Sequence, residues 1–235
     1  MTEIRKLAEN LGLKFDNYDL LQQAVVHRSY INEHPNFKLG HNERLEYLGD
    51  AVLELVVTKY LFETYDNPEG DLTNWRSALV NSRMLAKAAK ALEVEDYLLL
   101  SKGEQKDTGR AREYILGNTY EALVGAIYLD QGYESASEFI HSNLITELPH
   151  IIKEGLYEDP KSRLQEKVQS VSQITPDYKV LDESGPDHDR IFKVGVYFED
   201  ELVGTGTGRS KQEAQIAAAE VAWNNKSWVN APKRN

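Results

Sequence analysis

The chain has 235 residues, 41% of them apolar and 28% charged, with no cysteine and a formal net charge of −11. That composition supports one large or two smaller folded domains and excludes disulfides and thiolate metal sites. It also argues against loose, charge-driven nucleic-acid binding, so any such role must rest on local clusters of Lys and Arg. The opening stretch MTEIRKLAENLGLKF lacks the apolar centre of a signal peptide. No apolar run approaches the ~20 residues of a membrane span. A soluble cytoplasmic protein is the expectation.

Residues 1–150 read as helix almost throughout. LLQQAVVHRSYINE and RLEYLGDAVLELVVTKYLFETY carry apolar residues at helical spacing, and Pro68 with Gly70 marks a turn before NPEGDLTNWRSALVNSRMLAKAAKAL. SKGEQKDTGRAREY is polar and reads as a loop. ILGNTYEALVGAIYLDQG returns to helix, with Gly132 as its stop. The pattern then changes. EGLYEDPKS reads as a linker, in which Asp159 and Pro160 fit the N-cap and first position of a helix over KSRLQEKVQSV. Three strands are predicted over DYKVLDES, RIFKVGVYFED and ELVGTGTG. Ser210 and Glu213 make a capping-box pattern before the strong helix KQEAQIAAAEVAWNN. The expected fold is a mostly α N-terminal domain over 1–152, a linker over 153–158, an α+β domain of order α-β-β-β-α over 159–229, and a tail over 230–235.

The segment HNERLEYLGDAVLE holds Glu43, Glu46, Asp50 and Glu54. A helix turns about 100° per residue, so all four share one stripe. Like charges so spaced cost roughly 0.2–0.5 kcal/mol per pair. Leu45, Leu48, Val52, Leu55 and Val56 fall on the opposite side and are assigned to the core, with Leu53 and Val57 flanking the acids. The stripe fits either a solvated acidic face or a site where a divalent cation relieves the repulsion. Mg²⁺ takes hard oxygen ligands such as carboxylates, waters and phosphates. In ILGNTYEALVGAIYLD, Asn118 and Glu121 share a face, and the small Gly117, Ala122, Gly125 and Ala126 allow close approach of a neighbour. With Glu46 and Asp50 they make an oxygen-rich site between two helices. His27 and His41 could each serve as base or metal ligand; packing or capping is the expectation for His27, and a place near a helix start for His41.

ERLEYLGDAVLELV resembles the signature of the ribonuclease III family, endonucleases of double-stranded RNA. HRSY, PEGDLTNWRSALV and ILGNTYEALVGAIYLD resemble further family segments in the family's order. Residues 159–229 resemble a double-stranded-RNA-binding domain. The resemblance covers nearly the whole chain. It implies the family's helical nuclease fold, with Asp50 and Glu121 catalytic, Glu46, Asp50, Asn118 and Glu121 holding metal, and Glu43 and Glu69 at the active-site periphery. It further implies Mg²⁺ as cofactor, with Mn²⁺ able to substitute and no small-molecule cofactor or membrane. A homodimer would cut ribosomal-RNA precursors and some messenger RNAs to 5′-phosphate and 3′-hydroxyl ends with short 3′ overhangs. The chain departs from the family at Asn118, where Asp is usual. The amide removes one negative charge, so weaker metal binding is expected. The alternative is a catalytically impaired dimer that only binds duplex RNA.

In the C-terminal half the resemblance implies three RNA contacts. Gln165 and Glu166 match one minor-groove patch, Pro186 and His188 a second, and Arg209, Ser210 and Lys211 a phosphate contact at a helix N-terminus. Residues 159–229 carry nine Lys and Arg against twelve Asp and Glu, a net of −3, and Gln212 stands where the family often has lysine. Modest affinity with strong salt sensitivity is expected.

Overall fold

The computed structural model describes residues 2–186 and 190–230, and its contacts divide the chain into two compact units after Glu154. The first unit is helical: α1 (Thr2–Asn10), α2 (Tyr18–Ala24), α3 (Arg28–Glu33), α4 (Glu43–Thr64), α5 (Glu69–Leu79), α6 (Ser82–Ala91), α7 (Arg110–Asn143) and α8 (Leu148–Glu154). The second is α9 (Pro160–Ser172), β1 (Asp177–Ser184), β2 (Ile191–Phe198), β3 (Glu201–Gly208) and α10 (Lys211–Asn224).

The packing of α4 along α7 organises the first unit. The inward face of α4 is Leu45, Gly49, Val52, Leu53, Val56, Val57 and Leu61. Leu45, Val52 and Val56 are buried as the helical wheel predicts, and the rest of the expected core face is corrected. Leu55 is 57% exposed, while Leu53 and Val57 are buried. The reason is Gly49. A Cβ built there would stand 1.7 Å from the carbonyl oxygen of Glu121, and one on Gly125 would stand 2.2 Å from that of Leu45. The two helices cross backbone to backbone at these glycines, and that contact turns α4 so that Leu53 enters the core. Each buried Leu or Val contributes roughly 1.5–3 kcal/mol. The acids Glu46, Asp50 and Glu54 each follow a buried residue by one position, so they line the rim of the contact.

One further difference from the expected elements lies on α7. The helix begins at Arg110, inside the segment expected to be loop. The expected stop at Gly132 is present: there (φ 82°, ψ −175°) the backbone leaves helical geometry before a second helical stretch begins. Arg112 explains the early start: its guanidinium is buried and donates to the carbonyls of Glu104, Gln105 and Asp107, clasping the polar loop onto the helix. His27 caps α3, its Nδ1 accepting from the Ser29 amide. His41 lies just before α4.

In the second unit β1, β2 and β3 form an antiparallel sheet in that order. Leu164, Val168, Ile174, Val196, Phe198, Ala218, Ala219 and Ala222 form its core. Asp159 caps α9, accepting from the amides of Lys161 and Ser162. Gly204, Gly206 and Gly208 alternate along β3 because a Cβ on any of them would strike α10. The nearest approach is 2.2 Å, from Gly206 to the Ala218 nitrogen.

Candidate active site and RNA-binding surface

The α4–α7 crossing brings Glu46, Asp50 and Glu54 of α4 beside Asn118 and Glu121 of α7. Burial, then Asp50, Glu46 and Glu54 in that order, push the Glu121 carboxyl up to about 8. Glu46 is also raised, first by burial, then by Glu43, with Asp50 adding to it; the Asn118 side chain, within hydrogen-bonding reach, pulls it back down. The two outer acids have cationic partners. Glu54 pairs with Arg76 at 3.0 Å, and Glu43 lies 3.6 Å from Arg28 and 3.7 Å from His41. Among the described residues no ion pair joins Glu46, Asp50 or Glu121 to a cation. Glu46, Asp50 and Glu121 therefore lie within electrostatic reach of one another, with no counter-charge among the described residues.

Carboxylate and amide oxygens are the donors a hard divalent cation takes, and Glu46, Asp50, Asn118 and Glu121 would be the residues to hold one. Among the described residues no three acidic or histidine side chains close into a metal cage by themselves. The ion would add the Asn118 oxygen, water and substrate phosphate to the carboxylates, as Mg²⁺ commonly does. Glu69 lies on a third helix. It opens α5 and lines a cavity of about 600 Å³ with Phe62, Tyr65, Leu72 and Arg76.

On the second unit Gln165 and Glu166 lie exposed on α9, and Pro186 is exposed after β1. His188 lies outside the described residues. Ser210 caps α10, its Oγ accepting from the Glu213 amide at 3.1 Å, while the Arg209 amide donates to the Glu213 carboxylate at 3.0 Å. Arg209, Ser210 and Lys211 are all exposed there, at the positive end of a fourteen-residue helix.

Residues 17–148 match the family described as ribonuclease-III-like, and residues 160–226 match the double-stranded RNA binding motif. The chain belongs to the ribonuclease III family. It is a double-stranded-RNA-specific endoribonuclease whose helical nuclease domain is followed by a double-stranded-RNA-binding domain. Ribonuclease 3 of Dehalococcoides mccartyi is 42% identical over 223 residues, 94% of each chain. Ribonuclease 3 of Enterococcus faecalis is 43% identical over 221 residues, 92% of this chain and 94% of that one. Among solved structures, the nuclease domain of ribonuclease III from Campylobacter jejuni superposes with a TM-score of 0.53 at 41% identity. It covers 60% of this chain and 97% of that domain.

Several residues that build this ribonuclease III site carry no obvious sequence signal. Asn42 is buried, and its amide group donates to the Ala24 carbonyl, tying the start of α4 to the end of α2. The Arg76–Glu54 pair spans two helices. The small residues Gly117, Ala122, Gly125 and Ala126 hint at the crossing in the sequence, whereas Gly49, their counterpart on α4, carries no such expectation.

Proposed function

We propose that this ribonuclease III cleaves duplex RNA with Mg²⁺, or Mn²⁺ in its place, leaving 5′-phosphate and 3′-hydroxyl ends with short 3′ overhangs. The observation that carries the reading is the uncompensated trio of Glu46, Asp50 and Glu121 beside the Asn118 amide. In this reading all four side chains hold metal, with Asp50 and Glu121 closest to the chemistry. The chemistry such a cation supplies when bound is activation of water, polarisation of the phosphoryl oxygen and stabilisation of the leaving 3′ oxygen. The protein's own contribution is placement. Two helices hold the oxygens, and the partial burial of Glu46 and Glu121 makes those two carboxylates costly to leave without a positive charge. Glu43 and Glu69 occupy the periphery. Gln165, Glu166, Pro186 and His188 contact the grooves, while Arg209, Ser210 and Lys211 contact phosphate.

The proposal includes a homodimer in the cytoplasm acting on ribosomal-RNA precursors and some messenger RNAs. The Campylobacter jejuni nuclease domain shows structural flexibility in a region involved in dimer formation. On α4 of this chain Tyr47 is 83% exposed, Leu55 57% and Phe62 77%, an apolar strip on solvent that suits a second copy. Among the described residues no helix is long and apolar enough to cross a membrane.

Asn118 favours a second reading, a dimer that grips duplex RNA but cuts poorly. A labelled RNA duplex incubated with and without Mg²⁺ separates the two. Mg²⁺-dependent cleavage by the protein, lost in Glu121→Gln, supports the enzyme. Binding without cleavage, restored by Asn118→Asp, supports the impaired binder. Cutting that persists in EDTA would refute the metal site.

A further inference from the structure

The RNA-binding unit carries a net negative charge, and one acid sits where it matters most. Glu183, near the end of β1, is directly opposite Phe192 of β2, which in turn pairs with Gly208 at the end of β3. This row crosses the end of the sheet beside the start of α10. The Lys211 ammonium lies 3.4 Å from Glu183 Oε1 and 5.6 Å from the centre of the Phe192 ring. The other Glu183 oxygen, Oε2, lies 3.6 Å from Arg190, which closes the β1–β2 connection. One carboxylate thus engages a cation from each of two segments implicated in RNA contact.

We infer that Glu183 is an intramolecular competitor for duplex phosphate, occupying Lys211 and Arg190 until RNA displaces it and so setting the affinity of the domain. The inference rests on the reading of Lys211 as a phosphate contact. A carboxylate offers the same ligand chemistry as a phosphate oxygen: a compact anion that accepts charge-assisted hydrogen bonds. Lys211 and Glu183 are both partly exposed, with side chains 59% and 39% accessible, so the pair is weak and exchangeable. An exposed pair of this kind shifts an equilibrium by about two- to fivefold, enough to tune binding without abolishing it. Glu183 also remains beside the bound RNA, where its charge repels the backbone.

The test uses the full chain in EDTA, with binding to a fluorescent RNA duplex followed by anisotropy. Glu183→Gln is expected to tighten binding by about two- to fivefold at low salt, and the gain is expected to shrink as salt screens exposed charges. Lys211→Ala is expected to weaken binding, and Glu183→Gln in that background is expected to recover clearly less than it gains in the parent. No tightening by Glu183→Gln while Lys211→Ala still weakens binding overturns this inference and leaves the phosphate contact standing. An equal gain in both backgrounds also overturns it, because Glu183 would then act only as one more negative charge. Binding indifferent to Lys211→Ala overturns both readings.

Discussion

Replacing Glu121 by Gln in the metal-free protein should make it more stable at neutral and alkaline pH. Burial and the nearby Asp50, Glu46 and Glu54 push the Glu121 carboxyl up to about 8, from an ordinary value of 4.5 that applies in the unfolded chain. Between those values the folded protein binds the proton more tightly than the unfolded chain does. Stability is therefore fully present below about 4.5 and falls as pH rises through about 8. At ~1.4 kcal/mol for each tenfold difference in proton affinity, the ceiling is about 5 kcal/mol. Asp50 is exposed and Glu121 only partly buried, so water screens the cluster and a loss of about 1–2 kcal/mol is the reasonable expectation. Gln keeps the shape and removes the charge. Thermal denaturation in EDTA should place the variant roughly 2–8 °C above the parent at pH 8, with the two converging near pH 5. Mg²⁺ or Mn²⁺ should then raise the melting temperature of the parent and leave that of the variant nearly unmoved. Parallel pH–stability curves for the two proteins would mean that neither burial nor the neighbouring carboxylates raise the Glu121 carboxyl, and the electrostatic reasoning would fail.

Asn118→Asp should behave oppositely, lowering metal-free stability at pH 8 while shifting the Mg²⁺ requirement for cleavage about tenfold lower; an unchanged metal titration would argue against Asn118 as a ligand. Gly49→Ala forces a methyl group onto the Glu121 carbonyl oxygen. It should cost about 3 kcal/mol or more by denaturant titration and weaken Mn²⁺ binding measured by electron paramagnetic resonance, whereas parent-like values would show that the helices can part freely. The Tyr120 hydroxyl is buried, and among the described residues it has no hydrogen-bond partner; burial pushes its pKa up. Tyr120→Phe should therefore be neutral or stabilising by about 1 kcal/mol, and a comparable loss in stability would reveal a partner for that hydroxyl.

Local order is legible in the sequence wherever it depends on near neighbours. Asp159 followed by Pro160, and Ser210 with Glu213, announce helix starts because short side chains satisfy amides two or three residues on. The alternating strands between them occupy the ranges their periodicity predicts, with β2 ending one or two residues short of the predicted segment at either end. The start of α7 escapes such reasoning because Arg112 reaches back to three carbonyls, a contact that no helical propensity encodes.

The inventory of the site is written in the chain. It held four acids on one helical stripe and a second helix with Asn118, Glu121 and small residues, because helical period alone decides which side chains share a face. Which of those acids meet without a counter-ion among the described residues depends on how the helices pack. The Gly49–Gly125 crossing turned Leu53 inward and Leu55 outward, Arg76 arrived from α5 to neutralise Glu54, and Glu46, Asp50 and Glu121 were left to face one another. Range makes the difference: periodicity is a property of one helix, whereas charge compensation and close approach depend on residues far apart in the chain and cannot be read from any one segment of it.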